Sequence, residues 1–208
     1  MIEELLHEAD ERFPLLRQFI DDYPLEVVLR YFRINAADRE TPGDAVLLDI
    51  GCGRWCYFLR RARKKIKKGF GFDAHVDYQE KSKRNLEIKN FEFKDSLPYE
   101  SNFFDAVTMI AVFEHFNDVN KLISETSRVL KPKGTAIVTF PAKKSKLTLN
   151  ILASLRILNP KEIFSHKRYL TTDEAINLFK NCGFKLKKLK HFELGYNHLY
   201  VFEKQTQP

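Results

Sequence analysis

The 208-residue sequence predicts an α/β protein, doubly wound around a mostly parallel, seven-stranded sheet that ends in an antiparallel hairpin. Three observations lead there. Short continuous apolar runs, the pattern of strands buried on both faces, recur along the chain. They alternate with segments of helical period, which implies parallel strands joined by right-handed crossovers. The first run also closes on Gly51-Cys52-Gly53 and leads straight into a helical pattern, the opening of a nucleotide-binding domain.

In chain order, residues 1–44 read as an N-terminal helical cap, interrupted by Pro14 and Pro24 and closed by the turn Thr41-Pro42-Gly43-Asp44. Residues 45–50 form the first strand. After the glycines, Trp55, Phe58, Leu59, Ala62 and Ile66 share one helix face. A second strand runs from Gly69 into Asp73, followed by a polar helix near 78–88 and a third strand at Phe91-Glu92-Phe93. Residues 104–111 make the fourth strand. Val119, Leu122, Ile123, Val129 and Leu130 then lie on one helix that Pro132 and Gly134 stop, before a fifth strand at 135–140. Residues 45–140 are thus the ligand-binding half. The segment 141–170 is a lid-like insert whose Leu147, Ile151, Leu152, Leu155 and Leu158 form an apolar stripe between basic residues. A capping box at Thr171-Thr172-Asp173-Glu174 opens the last helix, which ends at Cys182-Gly183. Strands near 184–192 and 198–203 complete the hairpin, so that 1–208 reads as one domain.

Composition narrows the class. A hydrophobic fraction of 44% suits a globular core, and no apolar run reaches the roughly 20 residues needed to span a bilayer. The acidic, amphipathic start is not a secretory signal, and the three cysteines form no Cys-x-x-Cys pair, so a reducing, cytoplasmic setting is expected. The net charge of +7 is concentrated in RRARKKIKK (60–68) and in Lys143, Lys144, Lys146, Arg156, Lys161, Lys167 and Arg168. Such patches attract nucleic acid, anionic lipid or acidic substrates, while a solvated helix face is the plainer reading of 60–68.

Three carboxylates at successive strand ends carry the chemistry. Asp49 sits where a buried anion needs a partner, which a ligand ammonium would supply. Gly51 and Gly53 let the backbone turn and a ligand approach it, and the helix after them offers unpaired N–H groups. Asp73, twenty residues past Gly53, can accept hydrogen bonds from both hydroxyls of a ribose. Asp95, with the Ser96-Leu97 backbone, has the groups needed to read an adenine edge. Ligands of such sheets bind at the carboxyl edge, where these residues fall. NAD is the rival cofactor, because Gly51-x-Gly53-x-x-Cys56 approaches the dinucleotide fingerprint.

The motifs VLLDIGCG (46–53), GFD (71–73), KDSLPYESNFFDAV (94–107), IAVFEHF (110–116), RVLKPKGTAIVTFP (128–141) and TTDEAINLFKNCGF (171–184) resemble the class I S-adenosylmethionine (SAM) methyltransferases. The likeness is to the quinone-biosynthesis and small-molecule subgroup, and it covers the chain from about 45 onward in the family's order. The resemblance implies SAM as cofactor and favours it over NAD. It implies that Asp49, Gly51, Cys52 and Gly53 hold the methionine portion, Asp73 and Ala74 the ribose, Asp95, Ser96 and Leu97 the adenine, and Ile110 and Ala111 the sulfonium border. The family often carries a third glycine where this chain has Trp55, whose indole is expected to pack under the loop as the first residue of the helix face.

SAM carries an activated methyl, so alignment of acceptor and donor supplies most of the acceleration. A base is needed only where the nucleophile must lose a proton. His115 is the first candidate, with Glu114 orienting it or binding the acceptor, and His166 a further candidate in the insert; no metal is expected. The expected acceptor is a small or lipid-linked metabolite, with the insert as a lid or as a peripheral membrane contact. The alternatives are a catalytically idle SAM-fold binding module and a nucleic-acid methyltransferase using 60–68. The nucleic-acid reading is the weaker, since base-modifying signatures such as Asn-Pro-Pro-Tyr are missing.

Overall fold

The computed structural model describes residues 23–78 and 85–206. Residues 1–22, most of the expected helical cap, lie outside that range, as do 79–84 of the expected polar helix. Seven strands form one sheet in the order β3-β2-β1-β4-β5-β7-β6. They are β1 (Val46–Ile50), β2 (Lys68–Asp73), β3 (Leu86–Asn90), β4 (Phe104–Ile110), β5 (Leu130–Pro141), β6 (Phe184–Phe192) and β7 (Asn197–Lys204). The first five pair in parallel. The last two form the expected antiparallel hairpin, with β7 inserted between β5 and β6.

Helices cover both faces, because the central strands are apolar on both sides. On one face, α1 (Pro24–Glu40) and α2 (Tyr57–Ala62) bury Ile34, Phe58, Leu59 and Ala62 against Leu47, Ala106 and Ile137. On the other, α3 (Val119–Val129) and α6 (Thr172–Asn181) bury Leu122, Ile123, Ala175 and Phe179 against Leu48, Val107 and Val138. The capping box forms as expected, Thr171 Oγ1 accepting from the Glu174 N–H at 3.3 Å while the Glu174 carboxylate accepts from the Thr171 N–H at 2.7 Å. The insert carries α4 (Lys146–Ser154) and α5 (Pro160–Phe164); Ala153 of α4, Leu158 between the helices and Ile163 of α5 pack on Leu25 and Leu29 of α1. It therefore leans on α1 beside the carboxyl edge of the sheet.

Three expectations need correction. The third strand is Leu86–Asn90, so Phe91-Glu92-Phe93 follows it instead of forming it, and 86–88 are strand where a helix was expected. LEIKN alternates weakly and lies at the sheet edge only half-buried, so it lacks the apolar run that marks the central strands. Leu130 opens β5 and does not close α3. Trp55 precedes α2, separated from it by Cys56 in left-handed conformation (φ 51°), so it is not part of the helix face. Among the described residues, no helix is long and apolar enough to cross a membrane.

Candidate functional site

At the carboxyl edge of β1, β2 and β4 lies a cavity of about 950 Å³. The turn after β1 shapes its floor. Gly51 has φ 68°, and a Cβ there would lie 2.4 Å from the Val112 side chain, so the close approach of two loops requires glycine. Gly53 has φ 74° and nothing within 4 Å of where its Cβ would be, which leaves its backbone open to the cavity. Asp73 braces this turn, one carboxylate oxygen accepting from the Gly53 N–H at 3.1 Å and the other from the His75 N–H at 3.2 Å. A carboxylate has about four acceptor positions, so capacity for a diol remains.

Asp49 is fully enclosed at the end of β1. Its Oδ1 accepts from Thr108 Oγ1 at 2.6 Å, yet burial, with the Asp73 charge adding to it, pushes its pKa up to about 7. A buried acid held near neutrality, lining a cavity and lacking a cation, fits a ligand that brings a positive charge. SAM brings two, an ammonium and a sulfonium. The residues present therefore fit the cofactor.

Asp49, Gly51, Cys52, Gly53, Asp73, Ala74, Ile110 and Ala111 all line this cavity. Asp95, Ser96 and Leu97 do not. The Asp95 side chain is 81% exposed and pairs with Lys121 on the surface, Ser96 is exposed, and Leu97 is buried in the core with its N–H donated to Glu125 at 2.7 Å. The cause is the strand shift: with β3 ending at Asn90, the residues just past its tip are 91–94, and Phe91, Glu92, Phe93 and Lys94 line the cavity instead. Phe93 meets Phe116 edge to face at 5.7 Å, giving a flat apolar wall. Trp55 also lines the cavity, half-buried, with Arg54 over its ring at 5.3 Å.

Ala111 carries a signal that sequence reading missed. It has φ 54° without being glycine, and its N–H is shared between Thr139 O (3.0 Å) and Thr139 Oγ1 (3.1 Å). Such backbone persists where the surroundings over-determine it, commonly at a functional site.

Of the three catalytic candidates, only His115 lines the cavity. Its Nδ1 lies 3.0 Å from Ser165 Oγ, and that hydroxyl donates its single hydrogen to Glu162 O at 2.7 Å. Ser165 can therefore only accept from His115, which places the ring proton on Nδ1 and leaves the Nε2 lone pair free. Burial first, then Lys167 and Arg33, hold the His115 pKa below its ordinary value, so the ring is neutral at pH 7. Glu114 and His166 sit behind it. The Glu114 carboxyl is buried, with a pKa pushed up to about 7 by desolvation, and His166 is pushed down to about 4 by burial. Their 3.9 Å approach is thus no ion pair at pH 7, since the His166 ring is uncharged there. Tyr169 Oη lies 2.9 Å from His166 Nδ1. Ligating atoms of Glu114, His115 and His166 all lie within 4.8 Å of one another, a donor set of the kind divalent metals accept, although both Nδ1 atoms are already engaged.

A doubly wound sheet with a glycine turn, a carboxylate at the tip of its second strand and a cleft at the strand carboxyl ends has the architecture of nucleotide-cofactor enzymes. The comparisons make that more particular. The chain belongs to a methyltransferase domain family, whose model matches residues 16–189. It is 27% identical over 182 residues to a ubiquinone biosynthesis O-methyltransferase of Pelagibacter ubique, covering 80% of this chain and 72% of that protein. A demethylmenaquinone methyltransferase of Oceanobacillus iheyensis is 25% identical over 200 residues, covering 84% of this chain and 82% of the relative. Among solved structures, the YcgJ protein of Bacillus subtilis shares the fold with a TM-score of 0.66 at 18% identity, covering 85% of this chain and 100% of that one. A SAM-dependent methyltransferase of Methanosarcina mazei gives a TM-score of 0.60 at 20% identity, covering 81% and 96%. The protein is a SAM-dependent methyltransferase, and SAM is its methyl donor.

Proposed function

We propose that the enzyme transfers the SAM methyl to an oxygen, nitrogen or carbon of a small or lipid-linked metabolite, in a reducing, cytoplasmic setting, with His115 as the base where the nucleophile carries a proton. The observation that carries this reading is the convergence of Asp49, the Gly51–Gly53 turn, Asp73 and the free Nε2 of His115 on one cavity. In this reading Asp49 takes the ammonium of the cofactor, and Gly51, Cys52 and Gly53 approach its methionine portion. Asp73 with Ala74 takes the ribose hydroxyls. The adenine role expected of Asp95 passes to Glu92, Phe93 and Lys94, with Phe116 as the facing wall. Ile110 and Ala111 border the sulfonium. The cofactor supplies an electrophilic methyl when bound; the protein aligns the acceptor and receives its proton on His115 Nε2. Glu114 and His166, set back from the cavity, act by packing and orienting His115.

Relatives named for ubiquinone biosynthesis and for demethylmenaquinone support a metabolite over a macromolecule as acceptor. The insert supports a lipid-linked one. Leu147, Leu155 and Phe164 are 71%, 65% and 60% exposed on α4, its C-terminal end and α5, with Lys143, Lys144, Lys146, Arg156 and Lys161 around them. Apolar side chains ringed by cations suit an anionic membrane surface. The basic run 60–68, by contrast, is partly used within the protein: Arg61 pairs with Asp38 and Lys68 with Glu87.

Transfer of labelled methyl from SAM into fractionated lysate tests the function. Label in a lipid or small-metabolite fraction is expected. Label confined to RNA or protein, or none with SAM bound, would refute it.

A further inference from the structure

Two cations on the acceptor side of the cavity lack a carboxylate partner. Arg33, on α1, lines the cavity half-buried, and its guanidinium makes one hydrogen bond, Nε donating to Leu29 O at 3.4 Å. Lys167, in the segment after α5, lines the same cavity, with its backbone N–H donated to Glu114 O at 2.9 Å and its ammonium unengaged. Neither charge has a carboxylate within 4.0 Å among the described residues. Elsewhere the protein pairs such groups: Arg61 with Asp38, Arg128 with Glu125, Lys188 and Lys190 with Glu40.

The two side chains reach the cavity that His115 lines from elements far apart in sequence, and the charge of each disfavours protonation of that ring. Arg33 exerts the same field on His166. Buried Glu114 and half-buried Glu193 feel the Arg33 charge, which works against the burial that raises both, but among the described residues neither comes within 4.0 Å of it. Glu26 is buried, its Oε1 held by the Asn159 N–H at 2.6 Å, and Glu162 is exposed at the rim. A half-buried guanidinium offers a planar fork of donors that matches an oxyanion, and a lysine on the same cavity adds a point charge. Ile34 and Phe58 line the cavity beside Arg33 and supply the apolar wall that a ring would need.

We propose that Arg33 and Lys167 form an oxyanion subsite that takes a carboxylate or phosphate on the methyl acceptor and so presents its nucleophile to His115. The acceptor is then an organic acid or phosphate ester. This rests on the methyltransferase reading above and adds the acceptor's charge to it.

The test uses the full-length protein saturated with S-adenosylhomocysteine (SAH), the demethylated product. Benzoate, phenyl phosphate and neutral benzamide are titrated while the fluorescence of Trp55, the single tryptophan and a cavity residue, is followed. Binding of one or both anions roughly tenfold tighter than benzamide is expected, and which anion binds tells carboxylate from phosphate. Arg33→Gln should cost roughly tenfold or more in that anion's affinity and Lys167→Gln about threefold, with SAH affinity and melting temperature held. Equal binding of the anions and benzamide, or anion affinity unchanged in Arg33→Gln, overturns the subsite. Failure of SAH itself to bind overturns the methyltransferase reading instead, and the anion titration is still read on the protein alone.

Discussion

The two walls of the cavity are built by opposite means. The cofactor wall is made of strand ends and one tight turn, its carboxylates enclosed and braced by backbone: Asp49 by Thr108, Asp73 by the Gly53 and His75 N–H groups. The wall proposed for the acceptor is assembled from α1, the loop after β4 and the insert, through long side chains on separate elements. A shared, chemically fixed ligand permits rigid backbone recognition, whereas an acceptor that differs between relatives is met by side chains that can change without disturbing the sheet.

The contrast can be broken most directly at Asp49. Replacing it by Asn should weaken SAM binding by on the order of a hundredfold in calorimetry, because the ligand's ammonium then enters an enclosed site without its counter-charge. An affinity within threefold of the wild type would mean that the cofactor wall does not work as described. At His115, Gln should slow methyl transfer on the order of a hundredfold while SAH affinity stays within twofold, which separates the two walls kinetically. Full activity in that variant would leave the residue a wall and nothing more. Asp73→Asn should cost about tenfold in SAM affinity, and Asp95→Asn, on the surface, should cost nothing measurable.

The pH dependence sharpens the comparison. Asp49 has an ordinary value of 3.8 and a folded value of about 7, so its protonated form favours the native state. Its contribution is complete below 3.8 and is lost as pH rises through about 7. Ligand-free protein should therefore lose stability relative to Asp49→Asn across that window, followed by thermal melting at each pH. SAM should bind more tightly as pH rises through about 7, because the anion that receives its ammonium is then already formed. A parallel pair of melting curves would count against an enclosed, ligand-free acid. A modest effect belongs to Ser165→Ala: releasing the His115 tautomer should lower kcat a few-fold and change its pH profile without altering SAM affinity.

What could be read from the sequence follows the same division. The strand–glycine–helix opening was legible because a buried strand must be apolar and a backbone at φ 68° favours glycine. Asp73 followed from the same unit. Asp95 misled because β3, an edge strand with alternating charges, carries no apolar run, and a start placed five residues late moved the expected strand tip with it. His115 was legible as a residue beyond a strand end. Arg33, Trp55 and Lys167 were not recognised as cavity residues, since nothing local in a sequence says that positions 33, 55 and 167 line the same cavity. The strained Ala111 was invisible for a related reason: its conformation is imposed by Thr139, on the neighbouring strand.

The placement of β7 has a consequence for how the chain matures. Because β7 pairs with β5 on one side and β6 on the other, a segment synthesised after both is an interior plank of the sheet. Until residues 197–204 emerge from a ribosome, β5 presents a bare edge, and β6 has no neighbour to dock on. The half built on β1, β2 and β4 can collapse early, but closure of the sheet must wait for β7. In that interval the nascent protein is most open to pairing with the wrong strand.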